Sequence, residues 1–340
     1  MTQPALDFFR KRAVLLKAEG TEGTDALPVA GTDGFRLFDG SSSTEFDKDE
    51  RNLDKPHFGA SPFVTTNHRA KIEGTFELYP PATPGAASTS DADCAKVLLP
   101  SAMAVTKNAV TKITRYNPIS AAIPSYTGYW YHVRRLMKVL GMRGDISALT
   151  MEIGKRFTGK ASLLGEYVDI ATAAMPTVTL PTTVPVVSSK RNSTLLLNTL
   201  VKGGTASTVG VPLVALHTWG KLLQIDFGNA LGYREYTEKG VAGITDRAAK
   251  FTLKLAATDI TNDFDPWYIR KNHIVITGAY RLYDDDTQDG LYSELGFRGQ
   301  IENVTETDID GDDGFEITGM CIPSDAGNDE FYIGFGDASP

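Results

Sequence analysis

Three stretches of this sequence carry residue types that chemistry uses. Gly154 to Ala161, GKRFTGKA, has the spacing of a phosphate-binding loop, whose backbone N–H groups cradle phosphates. The position that should hold a Mg2+-binding hydroxyl is Ala161, and the interior holds bulky Arg156 and Phe157. The residues that follow alternate as a strand does, with no helix N-terminus to face an anion, so a β-hairpin is the better account. Asp308 to Glu316, DIDGDDGFE, sets Asp308, Asp310 and Asp312 at the spacing of a calcium loop. Its sixth position is Asp313 and its twelfth is Gly319, where such a loop needs a Gly for the sharp turn and a Glu for bidentate ligation. Asp-Gly between strands is a hairpin signal, and Tyr283 to Gly290, YDDDTQDG, reads likewise as a solvated turn. The five histidines, His57, His68, His132, His217 and His273, form no HExxH pair, and no GxSxG elbow is present. The expectation is a protein with no catalytic residue, no cofactor and no metal.

Composition narrows the class. At 340 residues and 41% hydrophobic, the chain has room for two modules with real cores. No stretch approaches the roughly 18 apolar residues of a membrane helix. Arg10, Lys11 and Arg12 have no apolar run behind them that could serve a signal peptide, so no secretion and no membrane partner are expected. Cys94 and Cys321 fall one in each half, which excludes a disulfide scaffold and fits small core residues made in a reducing compartment. The net charge of −8 argues against a protein that grips nucleic acid by its phosphates. It is compatible with a wall past which phosphate slides.

The elements behind these stretches are organised by an internal repeat. LGMRGDI, Leu140 to Ile146, returns as LGFRGQI, Leu295 to Ile301. Phe157, Thr158 and Gly159 follow the first copy, and Ile317, Thr318 and Gly319 follow the second. Upstream the order also repeats: Arg51, HRAKIEGTFEL and DADCAKVLL before the first, Arg234, DRAAKFTLKL and DFDPWYIRKN before the second. In His68 to Leu78 the residues Ala70, Ile72, Phe76 and Leu78 alternate with Arg69, Lys71, Glu73 and Glu77, a half-buried strand with one polar face. Ala249, Phe251, Leu253 and Leu255 alternate with Lys250 and Lys254 in the same way. Asp91 to Leu99 predicts a short helix capped by Asp91 or Asp93, and GYWYHVRRLMKVL predicts strand. Pro176, Pro181 and Pro185 interrupt residues 171–189, an extended connection. The division expected is an N-terminal segment 1–12, a first module 13–170, the linker 171–189, a second module 190–323 and a tail 324–340. The tail, acidic and Gly-rich, is expected to order on contact with a neighbour.

Taken in order, KAEGTEGTDALP near the start, RNLDKPHFGASP (51–62), HRAKIEGTFEL, RYNPIS (115–120), LGMRGDI, FTGKA, the Pro/Thr linker, LLQIDFGNALGYREY (222–236) and GITDRAAKFTLKL (243–255) are similar to the phrases of one family. The chain resembles the major tail tube proteins of long, non-contractile phage tails. Asp91 to Met103 departs from the family's Trp-containing helix. The resemblance implies a mainly β protein with a duplicated tail-tube module. Each module would hold two packed antiparallel β-sheets, as sandwich or barrel, with a short flanking α-helix. It implies rings of copies stacked into a channel for DNA ejection, a virion location after assembly in the host cytoplasm, and tape measure, tail terminator and tip proteins as partners. Genomic DNA would pass without specific binding. The alternative is another virion β-protein, a capsid decoration or adhesion module. Two modules per chain make a trimeric ring with pseudo-sixfold symmetry the leading expectation. A single-module reading, with the halves as two sheets of one sandwich, gives a hexamer. Candidate subunit-interface residues are Arg51, Pro56, the Phe58-Gly59 pair, Phe63, Arg234 and Tyr236. Candidate polar strand-face residues, toward the bore or the exterior, are Arg69, Lys71, Glu73, Glu77, Lys250 and Lys254, and the three lysines are expected to pair with carboxylates or face outward.

Overall fold

Period-two alternation runs through most of the chain, and the fold that results is mainly β, 61% strand and 4% helix among the described residues. The structure, a computed structural model, describes residues 11–50, 62–86, 93–180, 185–197, 214–217, 220–237, 239–256 and 264–339. The first half contains β1 (Arg12–Ala18), β2 (Gly34–Phe35), β3 (Phe38–Glu50), β4 (Phe63–Glu77), α1 (Ala95–Leu98), β5 (Met103–Asn108), β6 (Ile113–Pro118), β7 (Tyr126–His132), β8 (Arg135–Glu152) and β9 (Thr158–Thr172). The second contains β10 (Ser193–Leu197), β11 (Val214–His217), β12 (Gly220–Asp226), β13 (Asn229–Glu235), β14 (Gly240–Arg247), β15 (Lys250–Ala256), α2 (Pro266–Lys271), β16 (Val275–Tyr283), β17 (Leu291–Ile309), β18 (Asp312–Cys321) and β19 (Phe331–Asp337).

Neighbour order is the same in both halves, and every pairing is antiparallel. The first half reads β3-β4-β9-β8-β7-β1, and the second reads β12-β15-β18-β17-β16-β10. The repeated phrase lies in β8 and again in β17, and each copy is followed by an irregularity at the same place. Ile146 pairs with Ala161 and Ala148 with Lys160; Ile301 pairs with Gly319 and Asn303 with Thr318. One extra residue thus bulges after each isoleucine, bending both strands alike. This register sets Ala161 against Gly319, so the match of Phe157-Thr158-Gly159 to Ile317-Thr318-Gly319 is corrected by two residues. A shift of two preserves which side chains face the core, so phrase matching does not detect it.

β9 pairs with β8 along its whole length, from Thr150 back to Arg135. In the second half that path is divided. β18 covers β17 from Ile309 to Gly299, the chain leaves the sheet, and β19 returns to cover Phe297 to Leu291. The expectation that the segment after Ser324 orders through a neighbour is therefore corrected: Phe331, Ile333 and Phe335 are fully buried within the chain. Glycines and acids dominate the composition there, but the alternation FxIxF supplies the burial that orders it.

Among the described residues two ladders join the halves. β12 pairs with β15 and also with β8 (Leu222–Ile225 against Glu152–Leu149). β19 pairs with β17 and also with β6 (Ile333–Gly336 against Tyr116–Ile113). One 17-stranded sheet results, with β13 and β14 forming a separate pair. One core serves both halves, in which Phe251 stacks on Phe297 with centroids 4.4 Å apart and Phe227 meets Phe331 at 4.5 Å. Each such ring, fully buried, stabilises the fold by about 1.5–3 kcal/mol. The expected linker contributes the last two residues of β9 at one end. Near the other end Val187 bridges to Arg156.

The helices are short. α2 has Asp265 at its N-cap, accepting from the Tyr268 N–H at 2.9 Å, with Pro266 following. α1 differs from expectation: its N-cap is Cys94, with no side-chain cap. Asp93 is drawn instead to Lys96 at 2.9 Å, and Asp91 lies outside the described residues.

Candidate functional site

The stretches with chemical spacing are turns. Gly154, at φ +82°, lies between β8 and β9, and strand resumes at Thr158. Asp310 and Gly311, at φ +57° and +95°, close β17 onto β18 with Ile309 opposite Asp312, as a two-residue hairpin requires. The Asp308 carboxylate accepts from the Gly311 N–H at 2.8 Å and so serves the turn. Among the described residues no three His, Cys, Asp or Glu converge to hold a metal.

What stands out is a pair of hairpins. β3 and β4 leave the sheet together as an arm. From Ser41 to Glu50 every residue is exposed, and the ladder to β9 begins only at Arg69 opposite Glu166. The arm is held by its own contacts. Arg69 bridges Glu45 and Asp47 at 3.1 Å each, Asn67 donates to Asp47 at 2.8 Å, and Lys48 sits 4.8 Å over the Phe63 ring. Those hydrogen bonds from Asn67 and Arg69 hold the Asp47 carboxyl below its ordinary range. Phe46 and Phe63 nonetheless remain 44% and 49% exposed.

The β13–β14 hairpin lies down on the first half, against β8, β9 and β4. The bend is made at Gly228, at φ +59°, where a Cβ would run into the Ala248 carbonyl oxygen. Only glycine adopts that conformation in that space without strain. Asn229 then anchors the hairpin. Its backbone N–H donates to Asp145 at 2.8 Å, and its buried amide donates to the carbonyls of Ser101 (3.0 Å) and Gly144 (3.2 Å). Arg143, from the first copy of the repeat, donates to the Ala242 carbonyl of β14. Burial beneath the hairpin pushes the Asp145 carboxyl up in spite of the Asn229 N–H.

The expected interface residues fall on these two hairpins as far as they are described. Phe63 is on the arm, and Arg234 and Tyr236 lie at the exposed end of β13. The two hairpins touch there, since the Asn67 N–H donates to the Glu235 carboxylate at 2.8 Å. Arg51, Pro56, Phe58 and Gly59 lie outside the described residues. On the polar strand faces, Lys71 pairs with Glu73 and Lys254 with Glu316, each at 2.6 Å. Lys250 is exposed, opposite Asp226 in the ladder. Glu77 is a correction: expected on an exposed face, it is buried, because Leu78 bonds to the Phe157 carbonyl and closes that end of β4. Arg36 at 3.6 Å and Arg156 neutralise it.

Sequence reading missed Glu294, buried in β17 and held by Arg281 and Tyr332. Its position immediately before LGFRGQI offered no signal, since the matching residue of the first half is Val139. It also missed Asn229 as an anchor, although Gly228-Asn229 directly after an alternating strand is a turn signal. No family model matches the chain, and no curated protein matches it.

Proposed function

We propose that the chain is a structural subunit that assembles with copies of itself, the major tube protein of a long, non-contractile phage tail. The observation that carries this reading is the common neighbour order of the two halves, with the same bulge after Ile146 and Ile301. It supports a duplicated module, each copy folding its strands into two packed layers beside a short helix. Three chains then supply six modules around a bore, a trimer that imitates a hexamer. Rings stack into the channel, with tape measure, terminator and tip proteins at the tail's ends, and genomic DNA passes unbound.

The chemistry of the surfaces fits a passive conduit. Net charge is −8, and Lys71 and Lys254 are both neutralised by carboxylates, so a bore lined by these faces would not hold phosphate at many sites and stall it. In this reading the protein works in the virion and performs no catalysis. Electron microscopy of the purified protein tests it. Stacked hollow rings with three chains per ring are expected. Persistent monomers, or compact trimers without a bore, overturn it, and true sixfold rings with a whole chain per repeat replace the trimer by a hexamer.

A further inference from the structure

Within the chain the second half holds the first in one way. β12 adds to the edge of β8 at Leu149–Glu152, beyond the point where β7 leaves it, and the β13–β14 hairpin covers β8, β9 and β4. The strands that occupy those places in the second half are β17, β18 and β15. With Ile146 set on Ile301, the cross-strand row Glu73–Ser162–Asp145 maps onto Lys250–Met320–Gln300. Asn229 and Leu231 lie against the first row. Over the second row no described element lies, and Met320 is 37% exposed in mid-sheet. Past Gln300, where the β16 ladder ends, β17 has β18 on one edge and no ladder among the described residues on the other. That open edge corresponds to the one on which β12 sits in β8.

A matching occupant is also present and unused. The β3–β4 arm holds in the first half the place that β12, β13, β14 and β15 hold in the second. It extends past the sheet with Ser41 to Glu50 all exposed, and it touches the other hairpin where the Asn67 N–H donates to Glu235. Besides Glu45 and Asp47, which Arg69 bridges, the arm carries the exposed Asp49 and Glu50 toward the exposed Lys250 of the open face, where Lys254 is already paired with Glu316, and its exposed Phe46 and Phe63 suit Met320. We propose that the β3–β4 arm of one copy seats on the β15–β18–β17 face of a second copy, repeating between chains the contact that β13–β14 makes within one. That the occupant is another copy rests on the self-assembling reading above. Arm and face are different surfaces, so the contact propagates head to tail and closes only as a ring.

Two full-length double variants test this. One carries Phe46→Glu and Phe63→Glu on the arm; the other carries Lys250→Glu and Met320→Glu on the face. All four positions are exposed, and unchanged thermal unfolding shows that both variants fold. In sedimentation each alone should associate at least about 100-fold more weakly than wild type, the loss expected when buried interface anchors are removed. Mixed in equal amounts they should give a one-to-one dimer and nothing larger, since each retains the surface the other lacks. Wild-type-like assembly by either variant, or a mixture that stays monomeric or grows beyond a dimer, overturns the proposal. Tubes formed by both variants would leave the tube reading standing without this surface. A complementing dimer from a wild type whose assemblies lack a bore would do the reverse, and a wild type that stays monomeric at every concentration overturns both.

Discussion

The β3–β4 arm and the β13–β14 hairpin connect strands in corresponding places, yet one stands clear of the sheet and the other lies on it. The second hairpin bends after Asp226 at left-handed Gly228 and lies back on the sheet, while the first, although its ladder shifts register after Phe38 and after Glu45 and holds left-handed Asp39 and Asn67, stays exposed from Ser41 to Glu50. Hairpins in corresponding places of the neighbour order thus differ in exposure, and Gly228 marks the bend that seats one of them.

The largest test of that contrast replaces a ring at the root of the seated hairpin and another out along the arm. Phe227→Ala, at a fully buried position against Phe331, should destabilise the fold by about 3–5 kcal/mol in urea denaturation. Phe46→Ala, on the arm, should stay within about 0.5 kcal/mol. Comparable losses at both would mean that the arm is as well seated as the hairpin. Next in size, Gly228→Val forces a β-branched residue to φ +59° against the Ala248 carbonyl and should destabilise by about 2–3 kcal/mol. Hydrogen exchange across residues 229–247 should quicken while the arm is unaffected. Asn229→Ala leaves the Ser101 and Gly144 carbonyls without their amide donor and should remove about 2 kcal/mol; a loss under half of that would assign the seating to packing alone.

The smallest effect has opposite signs in the two regions. Under the seated hairpin, burial raises the Asp145 pKa, so the unfolded state gives up its proton first. The stability this group contributes is complete below the ordinary Asp value of 3.8 and is lost as pH rises through its folded value. Asp145→Asn should therefore gain on wild type as pH climbs from that range toward neutrality. In the arm, hydrogen bonds from Asn67 and Arg69 lower the Asp47 pKa, so its contribution is present above the ordinary value and lost as pH falls through the lowered folded one. Asp47→Asn should show its deficit at neutral pH and lose it in acid. Paired denaturation series at several pH values check both signs.

How much of this was legible in the sequence depended on where the information lay. Alternation in His68 to Leu78 gave β4 its faces directly, because burial on one side of a strand is written in the strand itself. The Asp310-Gly311 turn was equally plain, since positive φ selects its residue types. Glu77 was misplaced because its burial comes from Phe157, eighty residues further along, and alternation alone treats the end of a strand like its middle. The segment after Ser324 was misjudged because glycine and acid content outweighed three apolar residues at period two. Phe63, Arg234 and Tyr236 were legible only as interface candidates; that they fall on two hairpins, one of them bent back at Gly228, depends on how the strands pair, which the phrase FGN does not reveal.

The two ladders that join the halves, β12 on β8 and β19 on β6, have a mechanical consequence. Each is a four-residue run of antiparallel hydrogen bonds, and they tie the halves at separate places, so twisting or bending one half against the other must load both at once. A chain stitched in this way behaves as one stiff block. In the assembly proposed above, compliance would then come from the joints between chains, and curvature would be distributed as small tilts from copy to copy while each block keeps its shape.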